Sequence, residues 1–161
     1  MASEIQYKVF KELFDEETRR YSDLDNKGKL YVTIITFYLG AIAFKLRDVA
    51  EFTNSVPYAK WFYLAIAAML VIALLFAILG IRVRSFEGIF DPEKIIASLG
   101  PVAPTDEEFL DDRIVDLAVS TNKNSRRNDK VASSLASALF CVFIAGATQF
   151  ILLVVAMINL H

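Results

Sequence analysis

The residue types that usually carry chemistry are scarce in this chain. Its 161 residues include one histidine, His161, and one cysteine, Cys141. A single copy therefore cannot assemble a zinc site, a Cys-His pair or a Ser-His-Asp triad. Cys141 lies within an uncharged run, where it reads as a small buried hydrophobe. The six glycines form neither a Walker A loop nor a GxGxxG turn. Carboxylates crowd at Asp106, Glu107, Asp111, Asp112 and Asp116, but a helix start favours negative charge there. No acid interrupts the apolar runs to suggest a proton path. The expectation is a protein that is not an enzyme and needs neither metal nor cofactor.

Two constellations remain. The first is basic: Lys123, Arg126, Arg127 and Lys130 share one helical face just before the last apolar run, and Arg82 and Arg84 follow the second run. Such residues bind anionic lipid at roughly 1 kcal/mol per charge, or they hold a phosphate-bearing ligand such as a nucleotide. The second is a stripe at spacings of four and three. It comprises Leu110, Ile114, Leu117, Thr121, Asn124, Asn128, Val131, Leu135, Ala138, Val142, Ala145, Gln149 and Leu152, the pattern of a coiled-coil seam. Thr121, Asn124, Asn128 and Gln149 stand where apolar residues would be expected. Polar groups at such positions set register and oligomer number; the competing explanation is a helix locally exposed to water.

The elements that position these residues are membrane spans. Val131–Leu160 contains thirty consecutive residues without a charge, about 45 Å of helix at about 1.5 Å per residue, against a hydrocarbon core of roughly 30 Å. A second span is read at 61–83, behind the aromatic entry Trp61, Phe62 and Tyr63. A first, shorter span is read at 30–46, where Lys29 and Lys45 extend the apolar run by snorkelling. Gly40 and Ala41, and Ser133, Ser134 and Ser137, offer small faces for helix association. Ahead of the spans, Ile5, Val9, Phe10, Leu13 and Phe14 recur at helical spacing, which predicts an amphipathic helix over about 4–24 that packs on another helix. Segment 47–60 reads as a short polar connection. Asp91 and Pro92 open a short helix ended by Gly100 and Pro101 within the connection 85–130. Thr105 and Glu108 then make a capping box for one helix from Asp106 to about Leu160, roughly 80 Å at about 1.5 Å per residue. The expected architecture is thus one all-α integral membrane domain: three transmembrane helices, an amphipathic N-terminal helix and a long last helix extending into the cytoplasm.

Lys and Arg are abundant before the first span and between the second and third, and few in the short loop, so the N-terminus is expected in the cytoplasm. At LDNKGKLYVTIITFYLGAIAF and NKNSRRNDKVASSLASALFCVFIAG the chain resembles small bacterial membrane effectors of anti-phage defence, the Pycsar transmembrane effectors and the related SLATT families. The resemblance implies a multi-pass inner-membrane protein that self-associates and disrupts the membrane, usually on a nucleotide signal from a partner enzyme. Its implied partners are the lipid bilayer, further copies of itself, and a cyclic nucleotide or a partner defence protein; nucleic acid is not among them. The chain departs from fuller effectors in having no recognisable separate sensor domain. The alternative is a membrane anchor or scaffold subunit that recruits a partner protein.

Overall fold

The computed structural model describes residues 4–56, 58–82 and 105–159. Among these residues the chain is helical and contains no strand. The helices are α1 (Glu4–Phe44), α2 (Leu46–Ser55), α3 (Ala59–Ile81) and α4 (Asp106–Asn159). Three of them, α1, α3 and α4, are long and apolar enough to cross a membrane. The short helix expected at Pro92 lies outside the described residues, as do Arg84 and His161.

Helix α1 is longer than expected. The sequence places an amphipathic helix and a span on either side of Gly28, yet one 41-residue helix runs through both. Two local features hold the junction helical. Asp25 and Lys29 pair at 2.6 Å one turn apart. Gly28 is buried, and a β-carbon there would lie 2.6 Å from Ile81 Cγ1 and 3.5 Å from Leu135 Cδ2. This glycine is a contact point, and its helix penalty of roughly 0.5–1 kcal/mol is offset by close packing.

The helix changes course at Lys45, whose backbone sits at φ −94°, ψ 12°. The segment expected as a polar connection is largely helical as α2, supported by Lys45–Asp48 at 2.8 Å and Arg47–Glu51 at 3.1 Å. Helix α3 follows, with Tyr58 and Trp61 exposed at its start and the Lys60 ammonium 5.6 Å from the Trp61 ring. Helix α4 begins on the expected capping box: Glu108 N–H donates to Thr105 Oγ1 at 3.3 Å, and Thr105 N–H donates to Glu108 Oε2 at 3.0 Å. It then continues for 54 residues. The Asn-rich stretch before Lys130 does not interrupt it.

The chain divides into two compact units: Met1–Leu24 with Val83–Lys130, and Asp25–Arg82 with Val131–His161. The second unit contains the apolar packing. Its core joins Ile35 of α1, Ile66, Leu70, Ala73 and Ala77 of α3, and Ala138, Cys141 and Ala145 of α4. Lipid is as apolar as leucine, so such a core is held by close van der Waals contact, which small residues permit. Leu135 shows how: its Cδ2 lies 3.1 Å from the β-position of Gly80 as well as near that of Gly28. Phe37, Phe44, Phe143 and Phe150 are 67–86% exposed on the outer surface of this unit. In water such faces would be an association liability; hydrocarbon is their natural solvent. The protein is a membrane protein of three candidate spanning helices.

Candidate functional site

In the first unit, the inward side of α1 carries Phe14, which is buried, and Glu17 one turn later. The inward side of α4 carries Leu117, Ser120, Asn124 and Asn128, all buried. Asn124 and Asn128 are both 0% exposed, so the polar stripe is not a water-facing stretch of helix. None of the thirteen stripe positions from Leu110 to Leu152 is exposed. The stripe is the inward face of α4.

Helices α1 and α4 meet through polar groups. Asn128 Nδ2 donates to Glu17 Oε2 at 2.7 Å and to the Glu17 backbone carbonyl at 3.0 Å. Two acceptors on one side fix the amide orientation, because its oxygen cannot replace a donor there. Beside this pair, Arg20 reaches Asp129 Oδ1 at 2.6 Å and Glu17 Oε1 at 3.5 Å. The Asp129 carboxylate, then its charge and that of Glu17, hold the Arg20 guanidinium above its ordinary pKa.

The two halves of the junction differ in weight. Arg20 and Asp129 have side chains 39% and 64% exposed, and an ion pair in such a setting is worth at most about 1 kcal/mol. The Glu17 carboxylate is 16% exposed and its amide partner is enclosed, a setting in which a hydrogen bond to a charged group contributes about 1.5–3 kcal/mol. Against that stands a cost. Asn128 Oδ1 is enclosed with no hydrogen-bond partner among the described residues, and so is Thr121 Oγ1 one and a half to two turns earlier. An enclosed acceptor without a donor costs roughly 1–3 kcal/mol. The junction therefore specifies which helices meet and in which register, and adds little net stability.

The other expected site residues are placed as follows. Asn124 is buried in the first unit. Gln149 is half-buried in the second, its Oε1 enclosed without a partner among the described residues. Lys123, Arg126 and Lys130 are exposed and Arg127 half-buried, along one face of α4. Arg82 is exposed and ends α3. An open concavity of about 370 Å³ is lined by Glu12, Asp15, Glu16 and Arg19. Among the described residues no group of His, Cys, Asp or Glu is arranged to hold a metal ion. The chain matches no protein-family model, no curated protein and no solved structure.

Sequence reasoning passed over Glu17, Arg20 and Asp129. A signal for Glu17 was present: it lies three residues after Phe14 and four before Tyr21, on the side of α1 that turns inward. For Asp129 there was none, because its partner is 109 residues away along the chain.

Proposed function

We propose that this protein is a non-enzymatic effector of the bacterial inner membrane, acting in anti-phage defence. It self-associates and permeabilises the membrane when a signal reaches its cytoplasmic part. One observation carries this reading: the bond from Asn128 to Glu17 ties together two helices that each run on, unbroken, into an apolar span. A tie worth about 1.5–3 kcal/mol before its enclosed acceptor is counted can be undone by a ligand with modest preference for the open arrangement. At rest, Asn128 is spent on α1. Once α1 yields, Thr121, Asn124 and Asn128 become a seam that sets register between copies, continued in the membrane by Gln149. The apolar runs carry no charge, so a conducting state is assembled from several chains.

The basic face of α4, Lys123, Arg126, Arg127 and Lys130, is the surface on which the signal acts. Its ligand is anionic lipid or the phosphate of a cyclic nucleotide. The distribution of Lys and Arg supports a cytoplasmic N-terminus.

The test is overproduction together with the neighbouring genes, read by a membrane-potential dye and by chemical crosslinking. Wild type should crosslink into oligomers and depolarise the cell. The Asn124→Leu/Asn128→Leu double variant should insert normally but change oligomer size or toxicity. A monomeric wild type that leaves the potential intact rules out the effector reading in favour of the anchor reading. That second reading has its own support: Ile5, Val9 and Leu13 form an exposed apolar row on α1, 76%, 49% and 43% accessible, where a recruited protein would dock.

A further inference from the structure

One eight-residue pattern occurs twice in the second unit. Helix α1 contains Phe37-Tyr-Leu-Gly40-Ala41-Ile-Ala-Phe44, and α4 contains Phe143-Ile-Ala-Gly146-Ala147-Thr-Gln-Phe150. Both reduce to Phe-x-x-Gly-Ala-x-x-Phe. On a helix this spacing puts the four named residues on one side, a Gly-Ala notch with a phenyl ring one turn before it and another one turn after.

In both copies that side faces outward. Phe37 and Phe44 are 79% and 86% exposed, and Phe143 and Phe150 are 72% and 67% exposed. Gly40, Ala41, Gly146 and Ala147 are exposed as well. A β-carbon at Gly40 or Gly146 would meet nothing within 4 Å, whereas one at Gly28 or Gly80 would run into a side chain. The chain's other described glycines serve its own packing; these two do not.

The two notches also lie at one depth. Gly28 and Leu135 mark a common level, because Leu135 Cδ2 is 3.5 Å from the Gly28 β-position. Both helices run the same way from there, since Ile35 shares a core with Ala138, Cys141 and Ala145. Gly40 comes twelve residues after Gly28 and Gly146 eleven after Leu135, about 18 Å and about 16.5 Å along the helices at about 1.5 Å per residue.

We infer that these two faces are the halves of one contact between copies of this chain, α1 of one copy seating on α4 of the next within the bilayer. Gly-Ala notches let two helix backbones approach, and the flanking rings close over the neighbouring helix above and below, which is the packing that drives helix association in lipid. A second copy is the occupant that carries a matching face, in the same direction and at the same depth. Because the two notches lie level, unlike faces of neighbouring copies meet notch to notch and ring to ring. The contact joins unlike faces, so it leaves one of each free and adds copies until a ring closes. This rests on the self-association reading above and gives it a surface that is open while Asn128 remains bound to Glu17.

The test uses the full chain reconstituted in lipid nanodiscs and sized by mass photometry. Gly40→Leu and Gly146→Leu each fill one notch, and the free space at both positions leaves the fold of the single chain intact. Wild type should be oligomeric and each variant alone monomeric. A mixture of the two variants should give a dimer that does not grow, because only α1 of the Gly146→Leu copy and α4 of the Gly40→Leu copy remain competent. As a second measurement, Ala41→Cys with Ala147→Cys in a Cys141→Ala background should oxidise to a ladder of dimers, trimers and larger species, while either cysteine alone should not. Variants that each keep the wild-type size, or a wild type that is monomeric in the bilayer, would overturn the inference. Association in the expected pattern without depolarisation upholds the interface and sinks only the effector reading.

Discussion

At the scale of single residues, the balance of polar groups around Asn128 decides what substitutions there do. Asn128→Ala removes both donors to Glu17 together with the enclosed oxygen, and leaves a carboxylate that is mostly covered. The expected loss is about 1–3 kcal/mol, measurable as a lowered melting temperature of the detergent-solubilised protein. Arg20→Ala removes a partner that is partly exposed, so its cost should stay within about 1 kcal/mol. If Arg20→Ala were the more damaging of the two, the weight assigned to the amide would be misplaced. Glu108 supplies a pH-dependent case. Hydrogen bonds from the Thr105 backbone and then from its side chain hold the Glu108 carboxyl below its usual range. A depressed carboxyl stabilises the fold above its unfolded pKa, and that contribution is lost as the pH falls through the folded value. Thr105→Ala should move the Glu108 titration, followed by NMR, back towards an ordinary carboxylate, and acidification should then loosen the first turn of α4 less than in wild type.

At the scale of elements, the spans are held by close approach, and the glycines differ in how much they matter. Gly28→Ala puts a methyl group 2.6 Å from Ile81 Cγ1. That atom is near the base of its side chain, so the helices must separate, and overpacking of this sort costs about 1–3 kcal/mol. Ile81→Ala in the same chain should restore most of the loss. Gly80→Ala meets the tip of Leu135 at 3.1 Å, a looser approach than the 2.6 Å at Gly28, and should be milder. Gly40→Ala and Gly146→Ala meet nothing and should raise the melting temperature of the single chain slightly, because each removes a helix penalty of about 0.5–1 kcal/mol. Thermal unfolding of the five variants in one detergent ranks them, and equal losses at Gly28 and Gly146 would contradict the packing described for the core.

At the scale of the whole molecule, three candidate spans have a consequence for topology that does not depend on function. With the N-terminus on the Lys- and Arg-rich side, an odd number of crossings sends the C-terminus to the other side. A phosphatase reporter fused after His161 should be active in the periplasm, and a fluorescent reporter at the same place should be dark. The reverse pattern would mean either that the N-terminus lies on the other side or that one of α1, α3 and α4 does not cross, and α1 is then the one to suspect because only its last fifteen residues are free of charge.

Much of this was legible in the sequence, for a physical reason in each case. The thirty uncharged residues from 131 to 160 can be solvated only by lipid or by a larger protein interior, and Thr105 with Glu108 satisfies the first orphan amides of a helix from neighbours three residues apart. Both are local facts. The stripe from Leu110 to Leu152 marked the inward face of α4 because an inward face and a seam between copies have the same period. The period could not say which neighbour fills the groove. That Asn128 reaches Glu17 111 residues away depends on how α1 and α4 are apposed, which no local pattern encodes. The same limit explains the glycines: Gly28 had no role legible in the sequence, and Gly40 read as a small face for helix association. Only the tertiary structure showed that Gly28 is where Ile81 and Leu135 press against α1, and that Gly40 and Gly146 face outward with nothing against them.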